Sequence, residues 1–475
     1  MSGALPILPT AELAQAIAVG ELSAVEVLDA TLERISATDA QVNAFTERTW
    51  ERAHQEAKMV DQARVGGQML PPLAGVPYAV KNLFDIDGVV TLAGSRINRT
   101  HAPAMADAVL VQRMHQAGAV LVGALNMDEY AYGFTTENSH HGPCRNPHDL
   151  DRVAGGSSGG SGAAVAAGQV PVTLGSDTNG SIRVPASFCG VWGLKPTFGR
   201  LSRRGTYPFV HSIDHLGPLA DSVEGLALAY DALQFPDAED PACHVRAVQA
   251  VSPVLGQGIA GLRIGVLGGY FDDNATPPAR AAVQTAARVL GARGEVHWPH
   301  AAEARAAAFI ITASEGGSLH LQDLRTRAHE FEPLSVDRFI AGALQPAAWY
   351  LRAQRFRRQY REQVLSLFQQ WDVLLAPATP LAAPAIGTEW IDINGQRQPC
   401  RPAIGLLTQP VSFAGCPVVA APMWPQGTGG LPIGVQVIAA PWREDLALRI
   451  ASVLQQAGVA HLRPSPLHAT FVRRA

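Results

Sequence analysis

Apolar and polar positions alternate along the chain in two rhythms, one of short buried strands and one of amphipathic helices. Residues 10–65 read as helical: Ser23 and Glu26 make a capping box, and Val27, Leu28, Leu32 and Ile35 continue one apolar face. Punctuation by Pro71, Pro72, Gly75 and Pro77 then leads into Tyr78-Ala79-Val80-Lys81, a strand of buried type that ends on a cation. Residues 107–118 predict a helix and 119–123 the strand after it. A small-residue helix at 161–167 precedes a further strand at 170–175. Strand and helix signals recur at 262–266, 279–290, 373–377 and 434–438, a pattern that predicts an α/β fold with a mixed sheet. Residues 236–258 read as a loop, 275–370 as Ala/Arg-rich and helical, and no internal repeat is present. The expected organisation is an N-terminal helical region, 1–65, followed by one core, 66–475, with a helical excursion at about 275–370.

Composition narrows the function classes. With 47% hydrophobic and 16% charged residues the 475-residue chain can bury a large core. A formal charge of −4, without basic runs interleaved with aromatics, argues against direct contact with nucleic acid. No stretch approaches 18 uninterrupted apolar residues, so no membrane span is expected. The first 33 residues contain neither Lys nor Arg, unlike the start of a secretory leader. The five cysteines (Cys144, Cys189, Cys243, Cys400, Cys416) are scattered, odd in number and free of CxxC spacing, which suits free thiols in a reducing cytoplasm. Lysine occurs only at Lys58, Lys81 and Lys195 among 37 basic residues. A chain that otherwise uses arginine raises a chemical question where it keeps a lysine inside an apolar segment.

Three pieces carry candidate chemistry. Residues 155–162 read Gly-Gly-Ser-Ser-Gly-Gly-Ser-Gly. A linker would not usually sit between apolar strands, and a phosphate loop needs a lysine that is missing between Lys81 and Lys195. The remaining reading is a backbone brought very close to something, with serine hydroxyls presented by glycine-permitted geometry. Downstream, Gly175-Ser-Asp-Thr-Asn-Gly-Ser181-Ile-Arg-Val-Pro-Ala places a tight polar turn after a strand. Backbone N–H groups of Thr178, Asn179, Gly180 and Ser181 are placed to converge on one anion, as an oxyanion hole requires. The third piece is Lys81, either a surface or ion-paired cation or a buried lysine whose lowered pKa makes it a general base.

In order and spacing these pieces resemble the amidase-signature family over roughly residues 20–455. The glycine–serine segment, DTNGSIRVPASFCG, GLKPTFGR at 193–200 and GLPIGVQVI at 430–438 all match in sequence order, and Ser157 and Ser181 have the family's spacing of bridging and nucleophilic serines. The resemblance implies an amidase-signature fold, a large mixed β-sheet covered by helices on both faces. It also implies that Ser181 attacks an amide carbonyl, that Ser157, after a cis peptide, relays the proton to neutral Lys81, and that no cofactor or metal takes part. Asp177 and Ser158 would brace the site and Arg183 would support the nucleophile turn, each in a structural or a direct role.

Residues 124–160 are similar to the branch that contains the glutaminase component of glutamyl-tRNA amidotransferase. Asn82 after the lysine, Asn179 where glycine is usual, Arg203-Arg204-Gly205, and His211 and His215 around Ser212-Ile213-Asp214 depart from that branch. These features are similar to the branch that hydrolyses 1-carboxybiuret, in cyanuric acid breakdown, to urea-1,3-dicarboxylate and ammonia; the amidotransferase glutaminase, a biuret hydrolase or a non-catalytic scaffold are the other readings. That branch also implies a small helical partner similar to the amidotransferase C subunit. For a small anionic substrate, Arg204 is the candidate carboxylate clamp, with Tyr132, His211 or Tyr350 adding hydrogen bonds, unless Arg203-Arg204 is simply solvated. His211 and His215 have metal-compatible spacing on a helix, but Pro208, Gly217 and the lack of a third ligand argue against it, and His140-His141 read as loop.

Overall fold

The computed structural model describes residues 7–467. The outer ends of the two expected regions, 1–6 and 468–475, lie outside the described residues. Eleven strands form one sheet. In chain order they are β1 (Phe45–Arg48), β2 (Pro77–Lys81), β3 (Val120–Leu125), β4 (Val172–Asp177), β5 (Trp192–Lys195) and β6 (His215–Ala220). The later strands are β7 (Ile264–Leu267), β8 (Glu295–Val296), β9 (Val373–Pro377), β10 (Val418–Met423) and β11 (Ile433–Ala439). Their spatial order is β1-β3-β2-β4-β6-β5-β10-β11-β9-β7-β8. Parallel pairs flank β2 on both sides and join β7 to β8 and β9, and the other pairs are antiparallel, so the sheet is mixed.

Alternation of side chains along each strand feeds two cores, one per face. On β2, Tyr78 and Val80 belong to one apolar cluster and Ala79 to the other. The Ala79 face is covered by the N-terminal helices and by the small-residue helix Gly159–Ala166, whose glycines and alanines let it lie close to the sheet. The opposite face packs against helices that include Val223–Leu233, Pro277–Leu290 and Glu444–Gln456. Lys81 shares the parity of Ala79, so its side chain leaves the strand on the side of the Gly159–Ala166 helix.

The segment 10–65 is not continuously helical. Helices Thr10–Val19, Ala24–Val42 and Trp50–Val65 are interrupted by β1, which pairs with β3 at the sheet edge. The break has a local cause. Asn43 adopts a left-handed conformation (φ 57°) that ends the second helix. The Asp39 carboxylate then accepts from the backbone N–H groups of Ala44 and Phe45, which turns the chain into the sheet. The Ser23–Glu26 capping box is present with both of its hydrogen bonds. Residues 275–370 are mostly helical, with turns between the helices and the two-residue edge strand β8.

Candidate active site

Lys81, at the end of β2, is completely buried. Its Nζ lies 2.6 Å from Ser157 Oγ and 2.8 Å from Ser176 Oγ. Burial pushes its ammonium down to about 7, while the carboxylates of Asp128, Asp214 and Asp177 oppose the fall. A neutral amine offers two donors and one lone pair, and two hydroxyl neighbours can satisfy either end. Lys81 is therefore held where it can be uncharged near neutral pH and can exchange a proton with Ser157.

Ser157 follows a cis peptide bond after Gly156. Its carbonyl accepts from Asp128 N–H at 3.2 Å. The Asp128 carboxylate in turn accepts from Thr136 N–H at 3.0 Å and from Arg401 Nη2 at 3.2 Å. A Cβ on Gly156 would collide with that carboxylate, so the close approach requires glycine. Ser158 clips the loop to β4: its Oγ donates to the Ser176 carbonyl at 3.1 Å and accepts from Ser176 N–H at 3.2 Å.

The turn Asp177–Ser181 follows β4, which lies beside β2 in parallel, with Val80 opposite Leu174. That register brings the end of the strand that bears Lys81 and the turn that bears Ser181 to the same end of the sheet. Gly180 has φ +142°, and a side chain there would strike Thr408. Arg183, fully buried, fastens the turn from below. It donates from Nε and Nη2 to Asp177 at 2.9 Å each, and from Nη1 to Gln436 Oε1 at 2.6 Å and to the Thr408 carbonyl at 3.1 Å. It also bonds Ser412 Oγ. Burial pushes the Asp177 carboxyl up, but the Arg183 guanidinium outweighs it and holds the group well below the usual carboxylate range. Asp177 also accepts from Ile182 N–H at 3.2 Å, which orients the turn just past Ser181. Asp177, Ser158 and Arg183 thus act on the backbone that carries the serines.

Ser181 is 3% exposed. Among the described residues Lys81 is hydrogen-bonded to Ser157, while no hydrogen bond joins the Ser181 hydroxyl to Ser157. Ser176 is the residue that sequence reasoning missed. Its signal was a hydroxyl near the end of an otherwise apolar strand, uninterpretable until β4 is known to lie beside β2. Asp214 is a second: its carboxylate accepts from Thr178 Oγ1 at 2.6 Å and from the N–H groups of Phe209 and Val210, linking the turn to the 208–215 loop.

A cavity of about 680 Å³, open to solvent, has Ser176, Thr178 and Asp214 in its wall together with Arg203, Arg204, Tyr207 and His211. A larger cleft of about 1360 Å³ shares Pro208, Phe209 and His211 with it and reaches Glu315 and Tyr350. The four expected substrate contacts fall in different places. His211 borders both spaces. Tyr350 Oη donates to Glu315 Oε1 at 3.1 Å on the wall of the larger one. Tyr132 is buried against Phe209 and Phe339, with the Arg338 guanidinium 4.2 Å from its ring centre. Arg204 lines the smaller cavity, but its guanidinium is already bonded to Asp237 at 2.9 Å and to Glu239. His215 is buried with Nδ1 at 3.0 Å from the Asp177 carbonyl, on β6 rather than on a helix with His211. His140 bonds Glu129 at 3.1 Å. Among the described residues no cluster of three His, Cys, Asp or Glu side chains is placed to hold a metal ion, and no helix is long and apolar enough to cross a membrane.

The amidase family model matches residues 26–448. The chain is 71% identical over 454 residues to AtzE of Pseudomonas sp. (strain ADP), a component of 1-carboxybiuret hydrolase, in a match spanning 96% of this chain and 99% of that one. It is 38% identical over 481 residues to the A component of the glutamyl-tRNA(Gln) amidotransferase of Chromohalobacter salexigens, spanning 95% and 97% of the two chains. A solved structure described as an unexpected vestigial protein complex bearing on the origins of an s-triazine catabolic enzyme matches with a TM-score of 0.96 at 71% identity, covering 96% of this chain and 100% of that one. A crystal structure of an amidase matches with a TM-score of 0.84 at 31% identity, covering 95% and 100%. By sequence match over most of its length and by its sheet and helix arrangement, the chain belongs to the amidase family.

Proposed function

We propose that this amidase hydrolyses 1-carboxybiuret to urea-1,3-dicarboxylate and ammonia through an acyl-enzyme on Ser181. The reading rests above all on a fully buried lysine whose nitrogen sits 2.6 Å from Ser157 Oγ. The 71% identity to a component of 1-carboxybiuret hydrolase supports the substrate. Ser181 Oγ attacks the terminal amide carbonyl while its proton passes to Ser157 and the Ser157 proton passes to neutral Lys81. Backbone N–H groups of Thr178 to Ser181 receive the oxyanion. The proton on Lys81 then returns through Ser157 to the leaving nitrogen, and ammonia departs. Water adds to the acyl-enzyme by the same relay, restoring Ser181 and releasing the new carboxylate.

The enzyme acts in the cytoplasm, a reading supported by five buried free cysteines. It works with a small helical partner protein, supported by the 71% identical structure described as a protein complex. It makes no direct contact with nucleic acid. The 38% identity to an amidotransferase component favours glutaminase activity as the second reading. Ammonia release separates the two. The purified enzyme, alone and with its partner, is expected to release ammonia from 1-carboxybiuret; ammonia from glutamine alone, dependent on a tRNA-binding partner, overturns the first reading.

A further inference from the structure

Asn179 stands two residues before Ser181 and is 6% exposed. Its carbonyl accepts from Thr408 Oγ1 at 2.7 Å, and its Nδ2 donates to Thr312 Oγ1 at 3.0 Å, on the helix Ala301–Leu319. A planar amide with its nitrogen tethered has its oxygen direction fixed as well. That oxygen, Oδ1, is buried and has no hydrogen-bond partner among the described residues. Buried polar atoms are nearly always paired, and an unpaired acceptor is costly enough to need a reason. The other buried atoms without partners, such as His215 Nε2 and Arg401 Nε, lie outside the nucleophile turn.

We infer that Asn179 Oδ1 is an acceptor for a substrate N–H, and that it selects ureido compounds over carbon-linked amides. This deepens the proposed function and rests on it. A biuret-type substrate carries an N–H on the side of the scissile carbonyl opposite the leaving nitrogen. With that carbonyl at Ser181 and its oxygen on the backbone N–H groups of 178–181, the flanking N–H is one bond from the reacting carbon. A side chain from the same turn can reach it. A methylene at the same position has no proton to give, and Oδ1 then stays buried and unpaired, which is the strongest form of discrimination a polar site has. Thr178, the preceding residue, lines the inner cavity, and Ser314 and Glu315, just beyond Thr312, line the larger cleft. The Asn179–Thr312 hydrogen bond thus joins the turn that borders the first space to the helix that borders the second.

Biuret and malonamide provide the test, since they differ by one N–H in place of a CH2. Each is titrated as a competitor of 1-carboxybiuret turnover by the enzyme in its native assembly. Biuret is expected to inhibit about tenfold more tightly than malonamide, the effect of one buried hydrogen bond. In Asn179→Ala that ratio is expected to fall to about one, with the inhibition constant of malonamide itself changing less than about twofold. In Thr312→Val, where Asn179 is kept but freed of its tether, the ratio falls part of the way. An unchanged ratio in Asn179→Ala, no preference in the wild type, or an equal weakening of both competitors overturns the inference. If the wild type releases no ammonia from 1-carboxybiuret, the substrate reading fails by itself, and the competitor ratio is then measured against whichever amide the enzyme does hydrolyse.

Discussion

Two lysines are buried at strand ends in this molecule, and only one is placed to do chemistry. Lys81 closes β2 and Lys195 closes β5; both are completely buried, and burial pushes both down to about 7. Their partners differ. Lys81 faces two hydroxyls, Ser157 and Ser176. Lys195 donates to two carbonyl oxygens, of Pro196 at 3.0 Å and of Cys416 at 2.5 Å. A carbonyl only accepts, so it favours the ammonium and has no proton to trade. A hydroxyl both gives and takes. A depressed pKa therefore separates neither residue from the other; the proton inventory of the neighbours does.

The largest effect expected from this contrast lies in the lysines themselves. Lys81→Ala should cut ammonia release by about 10³–10⁴-fold, the upper range for loss of a general base, with thermal unfolding reporting a folded protein. Near-wild-type turnover would reject the base assignment. Lys195→Met should instead act on stability, lowering it by about 2–4 kcal/mol, since two buried carbonyls lose their donor. Denaturant titration measures that loss, and a chemical defect in the surviving folded enzyme would erase the contrast.

The pH profile sharpens it further. If the working form of Lys81 is neutral, the competent fraction falls about tenfold for each pH unit below its pKa. The value of kcat/KM should then rise with pH up to about 7 and level off. Lys195→Met should leave that inflection in place. A profile that falls as pH rises through 7 would mean that the ammonium is the active form. The smallest effect is expected at Arg204, whose guanidinium already has Asp237 and Glu239. Arg204→Ala should raise KM for 1-carboxybiuret less than about threefold, a modest change for a charge already neutralised. A tenfold rise confined to anionic substrates would restore it as the carboxylate clamp.

Much of this site was legible along the chain because its parts are short and local. A cation after an apolar strand, glycines around paired serines, and a strand running into a polar turn each leave a signature within ten residues. The Ser23–Glu26 box was readable for the same reason. What the sequence hid is what depends on strand order. Ser176 gains meaning only because β4 lies parallel to β2, and Asn179 only because Thr312, 133 positions away, reaches its amide. β1 was hidden differently, since four residues are too few for a periodicity to show and the apolar spacing of the flanking helices ran across them. Arg204 illustrates the converse: its charge was visible, while the acids that occupy it come from the 236–258 loop.

The Arg183 web has a consequence for the birth of the molecule. The turn that bears Ser181 is fastened to Thr408, Ser412 and Gln436, more than two hundred residues further on. During synthesis Lys81, Ser157 and Ser181 all leave the ribosome long before these fasteners exist. A nascent chain, or one cut short ahead of residue 436, holds Lys81, Ser157 and Ser181 without the frame that aims them, so on the proposed mechanism competence to acylate arrives only after the strand bearing Gln436 has been made.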